Sequence, residues 1–237
     1  MSDDPEPRFR VELKGDVAAL RALAPHFQSS EVRLHDEGDL VFLTSSTFKT
    51  MTTRAEVFEA AERILSALPG AMRIAGVPIS EPVIAQRVFE RTPDGQQNTT
   101  FISIPSIAMV MSMPAPTILI DGKPPPPPPA IPVERALHDA RVARALELFG
   151  RDPNWFDLYK VLDTIEEDVG GERALEDKGW ATRAELKRFT RTANNLNALG
   201  SGARHAIEAW QPPKNPMSLE EASVLIGKVL AAWMATK

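Results

Sequence analysis

The side chains best suited to chemistry lie late in the chain. Arg183, Lys187, Arg188 and Arg191 share one predicted helical stretch opposed only by Glu185. Asn194 and a Gly-bounded turn lead on to Arg204 and His205, so these groups could converge on an anion such as an RNA phosphate or a nucleotide. An acidic run precedes them: Asp163, Glu166, Glu167, Asp168, Glu172, Glu176 and Asp177. If the two helices are antiparallel neighbours, that run neutralises the basic helix internally, and this is the expectation. Glu166 stands apart, because at about 100° per residue it falls between Trp155 and Tyr159 in the apolar sector, where an unpaired carboxylate is costly. The expected partner is Arg204 or His205, giving a structural ion pair.

Other chemistries find little support. The four histidines, His26, His35, His138 and His205, never sit at i, i+3 or i+4, and the chain has no Cys. A zinc or non-haem iron site is therefore not expected, and thiol chemistry is excluded. His138-Asp139 resembles the dipeptide of a phosphohydrolase superfamily, but the further ligands of that chemistry are missing. The chain has no GxxxxGK[ST] loop, no GxGxxG after a strand and no GxSxG elbow, so no cofactor is expected. Helical bundles invite comparison with HEPN-type RNases, in which an Arg precedes a His by a few residues. Only Arg21 and His26 fit that spacing, about one such pair arises by chance, and Pro25 interrupts it. An RNase of that kind would have to use Asn194, Arg204 and His205 instead.

The 237 residues are 43% hydrophobic and 25% charged with a net charge of −5, which suits a folded chain and disfavours whole-surface binding to nucleic acid or anionic lipid. MSDDPEPRFR has no apolar leader core and the run from Ile102 to Met113 is too short to span a bilayer, so neither a secretory signal nor a membrane helix is expected. Six consecutive prolines from Pro124 to Pro129 read as a stiff polyproline II spacer that holds its flanks apart. This divides the chain into an α+β domain at 1–120, a polyproline linker at 121–132 and a helical bundle at 133–237.

In the first part, Phe9, Val11 and Leu13 alternate as in a strand, Asp16 can cap a helix through Phe27, and 31–44 reads as a hairpin. Thr53 and Glu56 form a capping box before a helix expected to stop at Pro69-Gly70. A second hairpin flanks Pro93-Asp94-Gly95, and Ile107, Met109, Met111 and Met113 alternate as a further strand. The fold class is α+β, an antiparallel sheet with two helices on one face. A separate four- or five-helix all-α bundle follows. Its helices are expected at 133–149, from Trp155 to a stop at Gly170-Gly171, behind capping boxes Thr182/Glu185 and Ser218/Glu221, and at Ala203–Trp210. Trp210 is the tryptophan placed for exposure.

The segments Trp155-Phe-Asp-Leu-Tyr-Lys, Arg188-Phe-Thr-Arg-Thr-Ala-Asn194, Ala203-Arg-His-Ala and Pro216-Met-Ser-Leu-Glu-Glu-Ala resemble a recurrent helical module of uncharacterised bacterial proteins. The resemblance spans roughly the last third and implies an α-helical unit in which Asn194, Arg204 and His205 matter. The combined reading is a cytoplasmic bacterial module that binds rather than catalyses. It would recognise a protein partner or a small anion through Arg188, Arg191, Asn194, Arg204 and His205, with no membrane association. Two alternatives stay open at this point: a metal-independent, HEPN-like RNase using the Arg/His cluster on RNA, and a homo-oligomeric structural component.

Overall fold

A computed structural model describes residues 7–29, 31–76, 82–92, 94, 96–101, 133–195, 199 and 213–237. The expected linker at 121–132, the strand at 107–113, the helix at 203–210 and Trp210 all lie outside these residues.

The alternation at the start of the chain produces the central strand of the sheet. Phe9, Val11 and Leu13 of β1 (Phe9–Lys14) point into the core. β1 lies between β3 (Leu40–Ser45) and β4 (Ile84–Arg91), with β2 (Val32–Glu37) and β5 (Gln97–Phe101) at the edges. Every described pairing is antiparallel. Both expected hairpins are present; the first turns tightly enough to need Gly38 in the left-handed region (φ 72°). A register shift between Glu12 and Leu13 turns Ala85 and Val88 to the same buried face although they are three residues apart.

Two helices cover that face. α1 (Val17–Leu23) begins at Asp16, whose carboxylate accepts from the Ala18 and Ala19 main-chain N–H groups at 2.9 and 3.2 Å. α2 (Arg54–Ala75) begins at the Thr53/Glu56 capping box. It does not stop at Pro69-Gly70. The helix carries Pro69 inside it and ends at Gly76, whose φ of 70° suits a left-handed cap. Proline forfeits one main-chain hydrogen bond there, and the burial of Leu65, Leu68, Ala71 and Met72 on either side offsets the loss.

The second half supplies α3 (Arg135–His138), α4 (Ala140–Gly150), α5 (Trp155–Val169), α6 (Glu172–Asp177), α7 (Arg183–Ala193) and α8 (Leu219–Met234). The helix expected at 133–149 breaks at Asp139, which leaves helical geometry to cap α4. The architecture is α+β, with helices following the sheet. α2 and α4 are in direct contact, so the flanks of the proline run are not held apart at this seam, and buried residues of both halves form one continuous core. The reason is the dipeptide that looked like a stop: a Cβ on Gly70 would overlap the Leu146 carbonyl, and one on Gly150 would stand 2.6 Å from the Gly70 nitrogen. Only glycines permit this helix approach.

Asp168, at the C-terminal end of α5, ties three helices. Its carboxylate accepts from Trp233 Nε1 at 2.9 Å, Arg141 Nη1 at 2.8 Å and Lys237 Nζ, which also reaches Asp139 at 2.9 Å. The Lys237 and Trp233 hydrogen bonds hold the Asp168 carboxyl down at about 2.

Two outcomes are expected. Gly70→Ala lowers stability by about 2 kcal/mol or more in urea denaturation, whereas Gly15→Ala, where a Cβ meets nothing closer than 3.3 Å, costs less. Asp168→Asn costs about 1–2 kcal/mol at pH 7. Because the folded pKa is depressed, the wild-type advantage is full above pH 3.8 and fades as pH falls through about 2, which thermal melts across that window check.

Candidate binding surface

α7 is built so that one side must be buried and the other must face water. Leu186, Phe189 and Ala193 are buried, and the Phe189 ring lies 5.8 Å from both the Trp155 and the Tyr159 rings of α5. Thr182 and Glu185 close the N-terminus as a capping box, and the Thr182 main-chain N–H and hydroxyl hold the Glu185 carboxyl below its ordinary range. With that face anchored, Arg183, Lys187 and Arg191 recur at i, i+4 and i+8 along the exposed side.

The four cations of α7 have different fates. The Arg188 guanidinium donates to both carboxylate oxygens of Glu221 at 2.8–3.1 Å, to the Asn215 carbonyl at 2.9 Å and to the Pro216 carbonyl at 3.1 Å. It therefore fastens the approach to α8 onto α7. Glu221 is at the same time the acid of the α8 capping box, and the Ser218 N–H and Arg188 hold its carboxyl below the usual range. Arg183 shares an open hollow of about 580 Å³ with Glu172, Arg173, Glu176 and Asp177. Lys187 and Arg191 are exposed and make no salt bridge among the described residues. Lys214, next in sequence to the Asn215 whose carbonyl Arg188 holds, is likewise exposed.

The preceding acidic run, expected to neutralise α7, makes no salt bridge to it among the described residues, although its Glu172, Glu176 and Asp177 share the hollow with Arg183. The one α7 salt bridge among the described residues goes forward, from Arg188 to Glu221 in α8. Asp168 is engaged instead by Arg141, Trp233 and Lys237.

Asn194 forms the C-cap of α7, donating its main-chain N–H to the Thr190 carbonyl at 3.2 Å, while its side-chain Oδ1 is buried without a hydrogen-bond partner. A buried amide oxygen left in this state costs free energy, and it stands three residues past Arg191. Arg204 and His205 lie outside the described residues, as does any contact between them and Glu166. Among the described residues no cation pairs with Glu166. Its carboxyl is half-buried, and burial, followed by the negative charges of Asp163 and Glu172, pushes it up to about 7.

Thr192 was not singled out by sequence reasoning, yet it is fully buried and ties α7 to the segment that enters α8. Its hydroxyl donates to the Arg188 carbonyl at 2.8 Å and accepts from the Met217 N–H at 3.0 Å. The only hint was a Thr on the apolar side of an amphipathic helix. Of the remaining histidines, His138 pairs with Glu31 at 2.6 Å and His35 bonds the Thr44 hydroxyl at 2.8 Å. No three potential metal ligands gather among the described residues, and no described helix is long and apolar enough to cross a membrane. Comparison with known proteins returns no match: no family model, no curated protein and no solved structure is similar to the chain.

The raised Glu166 carboxyl makes stability depend on pH. A folded protein that keeps a proton its unfolded chain releases is favoured below pH 4.5 and loses that advantage as pH rises through about 7. Glu166→Gln is therefore expected to flatten the fall in melting temperature between pH 5 and 8. At the upper end it should be the more stable protein by on the order of 1 kcal/mol, the effect being moderated by solvent at the half-exposed carboxyl.

Proposed function

We propose that the chain is a non-catalytic binding module that recognises an anionic partner, foremost an acidic surface of another protein, through the exposed side of α7. The observation that supports this most directly is the separation of roles on one helix: Arg188 is tied internally by four acceptors, while Lys187 and Arg191 on either side carry no described ion pair. The Arg188 clamp and the buried Thr192 hold α7 and α8 together, so those two cations project from a rigid support. Rigid cations at helical spacing suit carboxylates displayed along a partner's surface, where complementary charge raises the association rate and sets orientation. With a whole-chain net charge of −5 the attraction is local to this patch, which favours a specific contact over general polyanion binding. Asn194 caps the C-terminus of α7 at the end of the patch. Arg188 serves by holding the platform; Arg204 and His205, which the sequence adds to the cluster, lie outside the described residues. We place the module in the cytoplasm, consistent with a chain that contains no Cys.

Exchanging the two exposed cations tests this reading. In the Lys187→Glu/Arg191→Glu variant, affinity for a poly-glutamate probe at 50 mM salt is expected to fall about tenfold or more. The melting temperature should stay within about 2 °C, since both residues are exposed. Wild-type binding should weaken on going to 200 mM salt, and the variant's should not. Equal affinity of the two proteins would refute the proposal, and cleavage of single-stranded RNA by the wild type would favour an RNase instead.

A further inference from the structure

A second recess lies away from the α7 surface, where the C-terminal turns of α2 and α4 meet one side of α8. It is a cavity of about 320 Å³, at the lower end of small-ligand sites. Its chemistry is two-sided. Phe149, Gly227 and Ala231 give an apolar floor, with the Phe149 ring carbon 3.0 Å from where a Gly227 Cβ would stand, and Val224 beside them is 69% exposed. Among the described residues Arg73 and Lys228 are the charged members of the wall, and no acid is among them.

Arg73 is fixed before any ligand arrives. Its Nη1 donates to the Phe149 and Arg151 carbonyls, each at 2.8 Å, closing the C-terminus of α4, and the guanidinium carbon sits 5.5 Å from the centre of the Phe149 ring. Both Nη1 hydrogens are thereby used. Nε and Nη2 make no hydrogen bond among the described residues, so the edge whose two parallel donors match a carboxylate stays available. Asp152 acts on Arg73 at longer range and is not part of the wall. Lys228 is exposed and in no described salt bridge, and acts at longer range on Glu185 of α7, which is not part of the wall. Nearby, the Ser223 hydroxyl is buried without a partner.

From this juxtaposition we propose that the cavity binds a free organic monocarboxylate with a compact apolar tail, its carboxylate on the Nε/Nη2 edge of Arg73 and on Lys228, its tail on Phe149, Gly227 and Ala231. The charge of the wall selects the anion, and the floor rejects small inorganic anions that cannot cover it. This site is independent of the α7 surface.

Calorimetric titration of the full chain with octanoate tests it, with octan-1-ol and sulfate as controls. Octanoate is expected to bind saturably with a Kd in the region of about 0.1–1 mM, and both controls about tenfold more weakly or worse. Ala231→Leu, which fills the floor from a partly exposed position, should abolish binding, and Lys228→Gln should weaken it about fivefold. Lys228 is a surface residue, so its variant keeps the test informative if the leucine disturbs folding. Octan-1-ol or sulfate binding as tightly as octanoate, no saturable octanoate binding up to about 10 mM, or unchanged binding in Lys228→Gln would each overturn the proposal. Preference for a peptide C-terminus such as acetyl-Gly-Leu over octanoate would overturn it as well, in favour of peptide recognition.

Discussion

The closeness of α2 and α4 is the constraint on which the rest of the structure depends. Gly70 and Gly150 let two helix backbones approach where any side chain would collide, and that approach joins the sheet-bearing half of the chain to the helical half. α2 lies on the sheet, α4 lies on α2, and α5 and α8 pack in turn around α4 and around each other. The cavity walled by Arg73 and Phe149 exists because the ends of α2 and α4 come together beneath α8. The position of α7 follows from the same arrangement, since Phe189 packs on Trp155 and stacks on Tyr159 of α5 while Arg188 and Thr192 hold the entry to α8.

Arginine does two kinds of work in this molecule. Arg73 closes the end of α4, Arg135 donates to the Met234 carbonyl at the end of α8, Arg188 grips two carbonyls before α8, and Arg87 Nη2 donates to Oε1 of the buried Glu12 at 2.5 Å. In each case a planar, multiply donating group satisfies acceptors that would otherwise lie orphaned at a helix end or inside the sheet. Lys187 and Arg191 are different because no described acceptor faces them. A charge with no partner among the described residues is available to something outside the chain, and its position on a well-anchored helix gives it direction.

Much of the fold was legible in the residues. Period-two alternation marked Phe9, Val11 and Leu13, and three capping boxes marked the starts of α2, α7 and α8, since each of these signals is local and its physics lies within a few residues. Pro69-Gly70 misled for the complementary reason: the dipeptide usually ends a helix, but here its meaning depends on Leu146 and Gly150, more than seventy residues away. The surface shows the same division. That α7 is basic on one side could be read directly, but nothing along the helix separates Arg188 from Lys187. The distinction is made by Glu221, whose place beside α7 is a property of the packing. The role of Thr192 was hidden likewise, because a single hydroxyl in an apolar stripe says nothing about which helix it will reach.

The central claim is that the exposed cations of α7, and not the acidic run before it, form the surface that meets a partner. Amide chemical-shift mapping during titration with an acidic peptide tests it most directly. The account predicts shifts concentrated at Lys187, Arg191 and Asn194, with little change from Glu172 to Asp177. Shifts centred on the acidic helix, or none along α7, would contradict it.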